Sequence, residues 1–175
     1  MIKKLPLIVA VVVLVIAVYA VGTAVAAQVT VVVKGGPLSL TPSADQTLAD
    51  AVLDGNDTST TGSLGELQVK DARGTGAGWY VTAAATDFAE QSTANTIAAG
   101  GFTVPVAPVV TTIAGNGGVT SAAGTLSGAG FTLLNSSSPN GRGRYSATPD
   151  LLLQVPAQTY IGTYAATVTE TLLSY

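Results

Sequence analysis

The chain has no cysteine and no histidine among its 175 residues, and it carries one tryptophan and one methionine. Without cysteine no disulfide can hold the fold, so a folded domain here rests on its core alone. Without either residue, Ser-His-Asp and Cys-His catalysis are excluded, and so are zinc sites built on His or Cys. Charge is also scarce: seven Lys and Arg face ten Asp and Glu, about one residue in ten in all. A mildly acidic chain lacks the basic surface that nucleic acid requires. Carboxylates, tyrosines, lysines and hydroxyls are the groups left for chemistry. Ten acids scattered over turns give no specific carboxylate pair of the kind glycosidases use. The expectation is therefore a protein that is not an enzyme and needs no cofactor.

The first segment is the one long apolar run. Lys3 and Lys4 precede Leu5–Val21, which has no charged residue, and Gly22–Ala27 is rich in small residues. Basic start, apolar centre and an A-x-A site at Ala24-Val25-Ala26 are the order of a secretory signal, with cutting expected after Ala26. Roughly 20 apolar residues also suffice to span a bilayer, so an uncleaved membrane anchor is the alternative for residues 1–26. Either way an N-terminal apolar helix is expected, with residues 27–175 outside the cytoplasm as a single domain. Membrane contact is then confined to the first segment. Beyond it, Lys34, Lys70, Arg73, Arg142 and Arg144 stand against the ten acids.

The remainder is rich in Thr, Val, Ala, Gly and Ser. No stretch sustains a helical period, while β-branched runs recur between Gly, Pro and Asn/Asp punctuation. This predicts an all-β fold, an antiparallel β-sandwich of Ig-like or jelly-roll-like kind. Strands are expected at Gln28–Lys34, Pro37–Leu40, Thr47–Leu53, Leu64–Asp71, Gly78–Thr86, Phe131–Leu134, Gly143–Ala147 and Leu151–Val155. Phe102–Ile113 is interrupted by Pro105 and Pro108, which places it at an edge or across two sheets. Gly162–Leu173 is the longest strand expected. It has Tyr164, Ala166, Val168, Glu170 and Leu172 on one face and threonines on the other. Glu170 is expected at the rim of that face. Ala114–Gly130 and Asn135–Gly143 are expected to be loops.

Several residues are candidates for function. Trp79 and Tyr80 together offer aromatic surface of the kind that packs on sugar rings, although Trp79 shares a face with Val81 and Ala83 and is expected in the core. Arg73–Gly78 (RGTGAG) is a turn between strands that aims Asp71 and Arg73. These are expected to form a surface ion pair, or to contact a ligand. No helix follows this turn, so it is not a phosphate cradle. Asp54, Asn56 and Asp57 around Gly55 place oxygens near a glycine, as calcium loops do, and also fit an ordinary turn.

Three segments in this order carry a family resemblance: Leu53–Asp57 leading to Leu64; Val69–Val81 (VKDARGTGAGWYV); and Leu151–Pro156 followed by Gly162–Leu172 (GTYAATVTETL). The set resembles the WxL domain of bacterial surface proteins, from about Leu40 to Tyr175. Val81 stands where that family has the Leu of Trp-x-Leu, Val168 stands at the distal Leu, and Glu170 stands where an aromatic or apolar residue is common. The resemblance implies non-covalent attachment to the cell wall through peptidoglycan. It marks Trp79, Tyr80, Val81, Asp71, Arg73 and Tyr164 as binding residues. The expected protein is thus extracellular and surface-bound, with peptidoglycan or a neighbouring surface protein as partner. The alternative is a structural subunit in which Val29–Val33 is donated to the next copy, giving a homo-oligomeric filament or lattice.

Overall fold

The computed structural model describes residues 28–128 and 130–175. The signal or anchor expected over residues 1–26 lies outside them. The described chain is all-β, with one short 3-10 turn at Ala99–Gly101. Its strands are β1 (Leu38–Thr41), β2 (Thr58–Ser63), β3 (Leu67–Asp71), β4 (Trp79–Ala85), β5 (Phe88–Glu90), β6 (Thr96–Ile97), β7 (Phe102–Val104), β8 (Val110–Gly115), β9 (Val119–Ser121), β10 (Gly124–Thr125), β11 (Phe131–Ser136), β12 (Gly143–Ala147), β13 (Asp150–Val155), β14 (Tyr164–Ala165) and β15 (Val168–Ser174). They form four antiparallel sheets, ordered β1-β3-β12-β8, β10-β7-β13-β2, β15-β4-β11-β9 and β14-β5-β6.

Alternation decides which side chains are buried. In β4, Trp79, Val81, Ala83 and Ala85 point inward while Tyr80, Thr82 and Ala84 are half-exposed. β3 buries Leu67 and Val69, and β13 buries Leu151, Leu153 and Val155. Each fully buried Leu or Val contributes about 1.5–3 kcal/mol of transfer free energy. β11 departs from the period of two, because both Leu133 and Leu134 are buried. A bulge between Thr132 and Leu134 in its pairing with β4 explains this, since the extra residue lets two neighbours face the core. Phe88 and Phe102 meet edge to face at 4.9 Å, tying the fourth sheet to the second.

Some expected strands are absent or altered. Gln28–Lys34 is not in a strand, and Val29, Val31, Val32 and Val33 are exposed. β-branched residues suit a strand, but a strand needs a partner. Thr47–Leu53 is also not a strand. It runs beside β2, with the Ala49 N–H donating to Thr61 O at 2.9 Å and the Thr60 hydroxyl donating to Ala49 O. Phe102–Ile113 crosses between two sheets as its prolines predict, forming β7 and β8. Gly162–Leu173 divides into β14 and β15, on different sheets, while its two faces alternate as expected. Ala114–Gly130 is not a plain loop: it contains β9, β10 and the fully buried Leu126. Asn135 and Ser136 likewise belong to β11.

Glu170 sits at the partly buried rim. Its two carboxylate oxygens accept from the Ser43 N–H and the Ser43 hydroxyl, each at 3.0 Å. The carboxylate thereby fastens the segment after β1 to β15. Glu170→Ala is expected to destabilise by about 1–2 kcal/mol, the range for charge-assisted hydrogen bonds at a part-solvated site. Glu170→Gln should lose less, and urea denaturation of both variants checks the order.

Candidate functional site

Trp79 is fully buried. Its ring lies 5.8 Å from that of Tyr145, tilted by 47°, and its indole N–H donates to Gly141 O at 2.9 Å. The Tyr145 hydroxyl in turn shares its one proton between Arg142 O, at 2.9 Å, and Asn116 O. Gly141 has φ +78, and a Cβ there would fall 2.7 Å from Trp79 Nε1. Trp79 therefore anchors the Gly141–Arg142 segment from inside and offers no platform to a ligand. Val81 is equally buried. Tyr80 faces outward and packs on Tyr175 with centroids 5.3 Å apart; the Tyr175 hydroxyl donates to Asn135 Oδ1 at 2.8 Å.

Asp71 and Arg73 do not form a surface pair. The Asp71 side chain is fully buried and that of Arg73 is 19% exposed. Arg73 Nε and Nη2 donate to the two Asp71 oxygens at 3.0 and 2.9 Å, and the Arg73 N–H adds a third bond at 3.0 Å. Arg73 Nη2 also donates to Gly78 O at 2.8 Å, closing the RGTGAG turn. Gly78 has φ +81, and a Cβ there would lie 2.6 Å from Ser136 O, so this turn packs directly on the end of β11. Burial pushes the Asp71 carboxyl up, but the hydrogen bonds and charge of Arg73, with the charge of Arg142, outweigh it and hold the group below its usual range. The pair is a structural clasp that engages both Asp71 oxygens and the Nε and Nη2 groups of Arg73.

Asp54, Asn56 and Asp57 make a turn. Asp54 Oδ1 accepts from the Asn56 N–H at 3.0 Å, and Asp57 Oδ1 accepts from the Ala157 N–H at 2.8 Å. Among the described residues no cluster of three or more acids is placed to hold a metal ion.

Tyr164 lies elsewhere, on the fourth sheet, opposite Glu90 in the β14–β5 pair. Its hydroxyl donates to Tyr160 O at 3.0 Å, which closes the Tyr160–Thr163 loop over its own strand. The Thr159 N–H donates to Pro156 O at 3.0 Å, turning the chain out of β13. On the other side, the Glu90 N–H donates to Asn95 O at 2.9 Å and the Gln91 N–H to Thr163 O at 3.0 Å. The Ser92 hydroxyl donates to Glu90 Oε1 at 2.8 Å, while Glu90 Oε2 is buried without a hydrogen-bond partner among the described residues. Between these two segments lies a groove of about 220 Å³. Asn95, Thr96, Gln158, Thr159, Tyr160 and Tyr164 line it with Pro156, and none of them is charged. Tyr160 is 69% exposed there.

The structure thus separates the residues marked from sequence. Asp71, Arg73, Trp79 and Val81 are architectural, Tyr80 is covered on one side by Tyr175, and Tyr164 alone enters a groove. Sequence reasoning missed Asn95, Thr96, Gln158, Thr159 and Tyr160. The available signal was the QTYIGTY segment, whose two tyrosines stand four residues apart. An open groove of amides, hydroxyls and tyrosines can take a neutral, hydroxyl-rich ligand. It has no carboxylate or amine in its lining to serve as general acid or base. No protein-family model, curated protein or solved structure matches this chain.

Proposed function

We propose that this chain is a non-catalytic module of the cell surface, exported by its apolar first segment, that holds to peptidoglycan through the Tyr160–Tyr164 groove. A neighbouring surface protein is the other partner this reading admits. The four antiparallel sheets are read as a β-sandwich of the WxL-like kind, placed outside the cytoplasm. The observation that carries the proposal is the groove's lining: two tyrosines with Asn95, Gln158 and Thr159 and no charge. Tyrosine rings cover the apolar faces of sugars while amides and hydroxyls meet their hydroxyl groups. The position of Tyr164 in the GTYAATVTETL segment adds the family resemblance to the same place.

Sedimentation with purified peptidoglycan tests this. The detergent-solubilised full chain is expected to pellet with the glycan. Tyr160→Ala, which removes an exposed ring and no core contact, is expected to weaken binding about tenfold, equivalent to about 1.4 kcal/mol. Wild-type protein left in the supernatant would overturn the proposal.

A further inference from the structure

The first sheet ends at β8, whose outer edge pairs with no strand among the described residues; the Ser121 hydroxyl of β9 donates to Pro108 O at 2.5 Å just before it. β8 pairs with β12 on one side only, and five of its six residues are exposed. Several other edges are blunted; β1, the four-residue strand at the far side of the same sheet, is not among them. β2 is covered by Ala49, β15 is tied to Ser43 through Glu170, and β6, β9 and β10 are two or three residues long. An open edge presents unpaired N–H and C=O groups to any extended segment that reaches it.

The same chain carries such a segment. Gln28–Lys34 (QVTVVVK) has Val29, Val31, Val32 and Val33 exposed at 93, 81, 77 and 87%, and no strand partner among the described residues. Valines suit a pleated surface and lose apolar burial where they stand. At the start of β8, reaching across to Ser146–Thr148 at the end of β12, lies a groove of about 340 Å³ lined also by Val106, Pro108, Val109 and Thr111, with Glu66 and Asp150 at the same place. Val106 and Val109 are 67% and 84% exposed.

We propose that Gln28–Lys34 of one copy adds as a strand to the β8 edge of a second copy, extending the sheet β1-β3-β12-β8 and linking copies head to tail. Charge sets the direction. Lys34 is the only charged residue of the donor segment and closes its C-terminal end. Glu66 and Asp150 lie by the residues that open β8. Bringing Lys34 to them makes the added strand antiparallel to β8, like every other pair in the fold. The pairing of β8 with β12 shifts register at Ile113, between Thr112 and Ala114. That bulge bends the far half of the edge, so the added strand engages chiefly Val109–Thr112. A donor and an acceptor on separate surfaces of one chain make a heterologous contact, which propagates rather than closing as a dimer. This interface involves a different sheet from the Tyr160–Tyr164 groove and stands or falls independently of glycan binding.

Because the chain has no native cysteine, paired cysteines report this contact without background. Val31→Cys is combined in turn with Thr111→Cys and Thr112→Cys in the full chain, oxidised on intact cells and run on non-reducing gels. The expected result is a ladder of dimers, trimers and larger multiples in at least one double variant, collapsed by reductant. Each single variant should stop at dimer. Lys34→Glu is expected to cut the ladder about tenfold, and adding Asp150→Lys to restore it. Disulfides formed only within monomers would show the segment folding onto its own β8 and overturn the proposal. So would no crosslink in either double variant while circular dichroism reports a folded β protein. A ladder unmoved by Lys34→Glu would overturn the antiparallel placement.

Discussion

Trp79→Ala is expected to destabilise the fold by about 3–5 kcal/mol, the range for deleting a fully buried aromatic side chain. The loss has two parts. The ring's removal opens a cavity against Tyr145, Val81 and their neighbours in the core. It also leaves Gly141 O without the indole N–H that reaches it at 2.9 Å. Trp79→Phe separates the two, keeping a ring and losing the donor; its expected cost is about 1–3 kcal/mol, that of one unsatisfied buried acceptor. Since total stabilities of such domains are about 5–15 kcal/mol, the alanine variant is expected to be partly unfolded at growth temperature. Trp79 is the only tryptophan, so the transition must be followed by circular dichroism. If Trp79 were instead a binding platform, the alanine variant would unfold at nearly the wild-type midpoint.

Breaking the Asp71–Arg73 clasp has the next largest effect, and its pH dependence is diagnostic. Arg73→Ala takes the guanidinium away from a carboxylate whose side chain is fully buried, and about 3–5 kcal/mol is expected for breaking a buried ion pair by removing one partner. Asp71→Asn should cost less, because the remaining guanidinium is 19% exposed and keeps part of its hydration. In the wild type the folded Asp71 pKa lies below its ordinary value of 3.8. Its contribution is therefore fully present above that value and is lost as pH falls through the folded pKa. In Arg73→Ala the side-chain bonds and the charge of Arg73 are gone, while the backbone N–H at position 73 and the charge of Arg142 remain against burial, so the pKa moves up from its wild-type position. Less stability is then lost on acidification. Urea midpoints across the acid range should fall less steeply in Arg73→Ala than in the wild type. Parallel slopes would mean that Asp71 titrates as a surface group.

The inward-facing strands were legible because their alternation is written in apolar residues. β4 and β3 follow Trp79-Val81-Ala83 and Leu67-Val69, and the prolines at 105 and 108 divide β7 from β8. β2 was not legible. Its sequence, TSTTGS, has no apolar residue, and it becomes a strand through six residues of pairing with β13. Gln28–Lys34 misled in the opposite sense, since its valines have strand propensity but no partner among the described residues. Leu133 and Leu134 could not both be placed inward by a period of two; the bulge that allows it depends on β4. The Asp71–Arg73 pair reads as solvated because charge beside glycine usually is, yet its hydrogen bonds allow burial. The Tyr160–Tyr164 groove was half legible. Tyr164 stood out within its segment, but Asn95 and Thr96 reach the groove from about 65 residues earlier through the β5–β6 and β14–β5 pairings, a juxtaposition made only by folding.

The attachment proposal rests on that groove, and amide chemical-shift mapping with soluble peptidoglycan fragments tests it most directly. The account predicts shifts concentrated at Asn95, Thr96 and Gln158–Tyr164, reduced in Tyr160→Ala, with the Trp79 indole resonance unmoved. Shifts centred on Asp71–Val81 instead, or none at any residue at saturating fragment, would contradict it.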